Sequence, residues 1–162
     1  MFITSRKQRG FTLLEVLVAL IILSIGVLGT AKLQLIGLRG TSDANLQGQA
    51  TLLANDMAER IRANRQAALV GNYTDLDFST LNCSSVTATC SDTKDTEALD
   101  CSAIEMARFD GAQWACQISN QIPNATPSLT KAGDAIEVQV SWPQLQVDGT
   151  EVNEHVSISV LY

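Results

Sequence analysis

The sequence predicts an α+β fold: a long N-terminal helix, apolar in its first half, packed through its second half on a C-terminal antiparallel sheet. Three observations carry that expectation. Phe11–Ala31 is an almost unbroken apolar run. Leu46, Ala50, Leu53, Met57 and Ile61 recur at the spacing of one helix face. Toward the C-terminus, apolar and polar residues alternate as they do in half-buried strands.

The first ten residues, MFITSRKQRG, hold Arg6, Lys7 and Arg9 and end in Gly10. A helix needs about 20 residues at 1.5 Å rise to cross a hydrocarbon core of roughly 30 Å. Phe11–Ala31 has that length. An ordinary secretory signal would have a shorter apolar core, roughly 7–15 residues, closed by an A-x-A-like site. Three bases before the span against Lys32 after it place the N-terminus in the cytoplasm and the rest outside. Glu15 is the anomaly in this segment. An acid at the centre of such a span costs on the order of 2.5–3.5 kcal/mol, and less near its end. If the chain were cut after Gly10, Phe11 would carry a new α-amino group four residues from Glu15, and the two charges could pair.

The run RG|FTLLEVLVALIILSIG resembles the class III signal of type IV pilins. That resemblance implies cleavage between Gly10 and Phe11 by a prepilin peptidase, N-methylation of Phe11, and a role for Glu15 in guiding the subunit into a filament. The stretches LSIGVLGTAKLQLIGLRG and QATLLANDMAERIRANRQA, within Arg9–Ala68, are similar to the PilV family of minor pilins. Members of that family imply a non-catalytic subunit of the type IV pilus that primes assembly at or near the filament tip. The implied partners are other minor pilins, the major pilin, a tip adhesin, the prepilin peptidase and an inner-membrane assembly platform. The implied setting is the inner membrane before assembly and the extracellular filament after it, serving adhesion and twitching motility. Major pilins often carry a proline midway along the mature helix. Here Lys32 stands in that region and no proline precedes Pro123, so the usual kink is not demanded, although Gly26, Gly29, Gly37 and Gly40 are weak helix points.

Four segments follow: a leader at 1–10, a membrane or filament-core helix at 11–31, its amphipathic continuation at 32–70, and a head at 71–162. Gly71 closes the helical pattern. The next thirty residues are rich in Ser, Thr, Asp and Asn and read as a surface loop, with a short helical turn in ALDCSAIEMARF. Cys83, Cys90, Cys101 and Cys116 lie in this region with the spacing C-x6-C-x10-C-x14-C. An even set in an exported chain reads as two disulfides, and the absence of a C-x-x-C knuckle or a nearby histidine disfavours zinc. Sequence order favours Cys83–Cys90 and Cys101–Cys116, with all three connectivities open. Strands are expected where period two appears: Ala112, Trp114, Cys116 and Ile118; Ile136, Val138, Val140 and Trp142; and Val156, Ile158, Val160 and Tyr162. Asp148–Gly149 reads as the hairpin turn before the last of them.

Little in the chain supports chemistry. His155 is the only histidine and falls on the polar face of a strand. Asp75 with Asp77, and Asp92 with Asp95, lack the spacing of a calcium loop and read as solvated loops. Asn72, Asn82 and Asn124 each open an N-x-[ST] triplet and read as chance matches. No nucleotide-binding or nucleophile motif appears, and no cofactor is expected. The charge is −6, and loss of Arg6, Lys7 and Arg9 with the leader takes it to −9, which opposes nucleic-acid binding. The alternatives are a minor pseudopilin of a type II secretion system, which shares the leader, Phe11 and Glu15, and a membrane-tethered periplasmic enzyme.

Overall fold

The computed structural model describes residues 10–86, 90, 101–146 and 149–162. The leader bases, Asp92, Asp95 and Asp148 therefore lie outside the described residues. The chain forms two compact units, Met1–Asp43 and Ala44–Tyr162. Helix α1, Leu13–Ala63, is a single 51-residue helix that begins in the first and ends in the second. The helix runs unbroken through Gly26, Gly29, Gly37 and Gly40.

In the first unit α1 buries nothing within the chain: its most apolar window has a mean hydropathy of 2.5 and no buried residue. The hydroxyls there turn back onto the helix. Ser24 Oγ donates to the Leu20 carbonyl at 2.5 Å and Thr30 Oγ1 to that of Val27 at 2.9 Å. Such back-bonding satisfies both of these hydroxyls in an apolar solvent.

In the second unit the helix stripe is a core face. Ala50, Leu53, Met57 and Ile61 are buried and Leu46 is half-buried against them. The helix breaks at Asn64, whose side-chain amide donates to the Ala103 carbonyl at 2.8 Å. A five-residue helix α2, Arg65–Leu69, follows, and Gly71 ends the run at a φ of +87°, a conformation open to glycine at little cost. The expected continuous helix to residue 70 is thus two helices, separated at Asn64, whose backbone leaves helical geometry at a φ of −109° and a ψ of 55°.

The next difference is larger. Residues 112–118 are not a strand but lie inside helix α3, Ala103–Gln121. Even spacing at Ala112, Trp114, Cys116 and Ile118 coincides in part with a second pattern. Ala107, Gly111, Trp114, Ala115, Ile118 and Ile122 fall at helical intervals, and all are buried. Ser102 begins the helix with a capping box: its hydroxyl accepts the Glu105 N–H, and the Glu105 carboxylate accepts the Ser102 N–H at 2.8 Å. The Ser102 hydroxyl and N–H also hold the Glu105 carboxyl below its ordinary pKa. Trp114 lies at the centre of the core, where its indole Nε1 donates to the Leu53 carbonyl at 2.8 Å and its ring meets Phe78 edge-on at 5.6 Å.

The sheet has three antiparallel strands in the order β1–β2–β3: Thr126–Ala132, Ala135–Leu145 and Glu151–Leu161. Ile136, Val138, Val140 and Trp142 of β2 are all buried, as the alternation predicts. On β3 only Val160 is fully covered, with Val156 and Ile158 half-buried. β1 escapes a pattern-based reading because Leu129 is its single buried residue. Its signal is the turn Gly133–Asp134, which joins Ala132 to Ala135 with Gly133 at a φ of +64°. Pro143 sits beyond the end of the β1 pairing, which stops at Ser141, so its missing N–H removes no ladder bond to β1. Leu145 pairs with Glu151 across the hairpin expected at Asp148–Gly149, and Gly149 has a φ of +87°.

The disulfides are Cys83–Cys116 and Cys90–Cys101, nested rather than sequential. Their Cα–Cα distances are 4.5 and 5.8 Å. The expected Cys101–Cys116 bridge fails for a geometric reason. Cys101 precedes the Ser102 cap and Cys116 lies deep in α3, so about 20 Å of helix separates them at 1.5 Å per residue. A bridge tolerates no more than about 7 Å between Cα atoms.

Candidate functional site

The N-terminal unit carries the site that the sequence singles out. Thr12 sets its geometry, and sequence reading passed over that residue. The Glu15 N–H donates to the Thr12 carbonyl at 3.1 Å and lies 3.3 Å from Thr12 Oγ1, while the Val16 N–H reaches the Thr12 carbonyl at 3.3 Å. Thr12 is therefore the cap of α1 and Glu15 its third helical residue, the spacing of a T-x-x-E capping box. That T-x-x-E spacing was the available signal.

Two consequences follow. The Gly10–Phe11 peptide lies outside the helix, in backbone without secondary structure. Glu15 lies in the first turn, where the helix dipole favours negative charge by about 0.3–1 kcal/mol. Its carboxylate meets no hydrogen-bonding or ionic partner among the described residues, and it is exposed. Phe11 is 84% exposed. Phe11, Glu15, Ala19 and Leu23 recur at four-residue intervals and, with Val16 and Leu20, line one shallow apolar face. A Cβ placed on Gly10 would meet nothing within 4 Å. Packing among the described residues gives no reason for glycine there.

The other residues considered at sequence level are dispersed. His155 is exposed on β3, opposite Ser141. Asp77 is exposed and accepts the Ser79 hydroxyl at 2.6 Å and its N–H at 3.0 Å, contacts that lower its pKa. The Asn82 side chain caps the 3-10 turn Cys83–Ser85, Asn72 is half-buried, and Asn124 stands exposed at a φ of +57°. Among the described residues, no three His, Cys, Asp or Glu side chains gather where a metal could sit.

A second polar cluster lies in the head, where sequence reading did not look. Asp110 is 6% exposed. Arg60 Nη1 donates to its Oδ1 at 3.2 Å and the Tyr73 hydroxyl to its Oδ2 at 2.7 Å. Arg60 also bonds Asp56 at 2.9 Å and Gln113. This cluster ties α1, α3 and the segment after α2 together. Every strong donor is paired inward, which describes a structural clamp.

Comparison with protein families accounts for both units. The prokaryotic N-terminal methylation motif matches residues 5–31, a range that includes Gly10, Phe11, Thr12 and Glu15. The family of type IV pilin Tt1218 matches residues 32–112, half of the chain. No curated protein and no solved structure matches it. The methylation motif and the apolar helix behind it fit membrane anchoring and incorporation into a pilus. With half its length matched by that family and its N-terminus by the methylation motif, the chain belongs to the Tt1218-like type IV pilins.

Proposed function

We propose that this pilin is a minor, PilV-like subunit that primes assembly of the pilus and sits at or near its tip. It is made as a membrane protein with residues 1–10 in the cytoplasm, residues 11–31 in the bilayer and the head outside. A prepilin peptidase cuts between Gly10 and Phe11 and methylates the new amine of Phe11. Other minor pilins, the major pilin, a tip adhesin and the assembly platform are its partners, and its role is structural. The similarity of Arg9–Ala68 to PilV proteins supports the minor, tip-proximal assignment.

The observation that carries the processing and assembly steps is the state of Glu15. An exposed carboxylate without a partner among the described residues stands one turn from the Gly10–Phe11 bond, which lies outside the helix, on a helix face that is otherwise apolar. Cleavage creates a cationic amine within reach of that carboxylate or of its counterpart on a neighbouring helix. In lipid or in a packed filament such a pair is strongly favoured over an isolated charge. Glu15 then sets the register in which helices pack.

Glu15→Ala should leave the chain cleaved and membrane-inserted while depleting it from sheared filaments. Incorporation at the wild-type level would overturn the register role. Affinity capture of the intact subunit separates the pilus from its nearest alternative: pilus minor pilins should co-purify, whereas type II secretion pseudopilins in their place would reassign the protein to that machine.

A further inference from the structure

Cys90 and Cys101 are 11 residues apart and lie inside the 33-residue interval closed by Cys83 and Cys116. A head that emerges in N-to-C order behind the membrane helix presents its thiols in the order Cys83, Cys90, Cys101, Cys116. Cys83 meets Cys90 before either native partner has emerged, and short loops carry the smaller closure entropy. Oxidation in that order of emergence would pair Cys83 with Cys90 and then Cys101 with Cys116.

That product cannot fold. A Cys101–Cys116 bridge would have to span about 20 Å of α3 at 1.5 Å per residue. The helix would be lost, and with it the burial of Trp114 and Ile118. The native bridge is compatible with the helix because Cys116 meets Cys83 on the adjoining 3-10 turn Cys83–Ser85.

We propose that the native pairing is reached by thiol–disulfide exchange on an extracytoplasmic disulfide isomerase, a protein with a reactive surface thiolate. The proposal rests on the reading that the head is exported. The isomerase thiolate attacks the Cys90 sulfur of Cys83–Cys90, giving a mixed disulfide and releasing the Cys83 thiolate. Cys83 attacks the Cys116 sulfur of Cys101–Cys116, forming Cys83–Cys116 and releasing the Cys101 thiolate. Cys101 attacks Cys90 in the mixed disulfide, closing Cys90–Cys101 and returning the isomerase thiolate. Two protein disulfides exist before and after, so no oxidant or reductant is consumed. Formation of α3 then removes the reverse path, because Cys101 and Cys116 are held apart.

The test uses the full-length chain in detergent, reduced and unfolded, then oxidised rapidly with or without a purified disulfide isomerase. Bridges are mapped by peptide mass spectrometry while burial of the two core tryptophans, Trp114 and Trp142, is followed by fluorescence. Sequential bridges should dominate early, and the isomerase should raise the rate of nested pairing several-fold, with the fluorescence change following the nested species. The double variant Cys83→Ser/Cys116→Ser should form its Cys90–Cys101 bridge at the same rate with and without isomerase. Nested bridges forming at one rate under both conditions in the wild type would overturn the exchange step and leave export standing. Four free thiols in protein taken from intact cells would overturn export and the exchange together.

Discussion

Asp110 shows what a buried carboxylate does to this head. Burial pushes its carboxyl above the ordinary 3.8, while the Tyr73 hydroxyl and the Arg60 guanidinium pull it back down. Tyr73 is itself driven well above the usual phenol range, first by burial and then by the carboxylate it bonds. Because the net shift of Asp110 is upward, the folded chain holds that proton more tightly than the unfolded one. The stability it contributes is fully present below 3.8 and is lost as pH rises through the folded value. Arg60 limits that loss. Arg60→Met leaves the carboxylate buried without its cation, which should cost about 3–5 kcal/mol near neutral pH. The cost should shrink at acid pH, where Asp110 is protonated in the folded variant. Urea unfolding of the full-length variant in detergent at two pH values checks this, and equal losses at both would contradict it. Tyr73→Phe removes one hydrogen bond to a buried acceptor and should cost about 1–3 kcal/mol.

At the scale of elements, α3 organises the head. It receives Arg60 of α1 at Asp110 and Gln113, reaches Leu53 through Trp114, and holds the 3-10 turn at Cys116. Ser102→Ala removes its cap and should cost about 1 kcal/mol. Cys83→Ser with Cys116→Ser opens a 33-residue loop and should cost about 3–4 kcal/mol by loop entropy, against about 3 for the 11-residue pair. Thermal melts of each pair of variants rank the two, and a larger loss from the shorter loop would contradict the ranking. The same elements show what a linear reading can reach. The α1 stripe and the β2 alternation were legible because one face of each is apolar and the other polar, which is what burial on a single side imposes. α3 was not, since Trp114, Cys116 and Ile118 satisfy period two and Gly111, Trp114 and Ile118 satisfy period 3.6. The Ser102–Glu105 capping box distinguishes them. The disulfide pairing was hidden for a related reason: sequence separation measures distance along the chain, and a helix between two cysteines turns that into distance in space.

At the scale of the whole molecule, the second unit has a hydrophobic core, to which the later part of α1 contributes, while the apolar window of α1 in the first unit buries nothing within the chain. That asymmetry was legible from sequence, because the processing signal is linear. Leader charge, glycine, phenylalanine and glutamate are read along the chain and need no tertiary partner to be recognised. Thr12 was the part left unseen, since its importance lies in where it starts the helix. Under the proposed assembly, the apolar face of Phe11, Val16, Ala19, Leu20 and Leu23 packs in lipid first and on neighbouring helices afterwards, and Glu15 is the group proposed to distinguish the two states. Everything proposed for that face depends on an amine that exists only after the Gly10–Phe11 bond is cut. Mass spectrometry of the N-terminal peptide of the protein recovered from filaments tests this most directly. The expected peptide begins at Phe11 and carries one N-methyl group. A peptide beginning at Met1, or at a cut near Ala31, would contradict it.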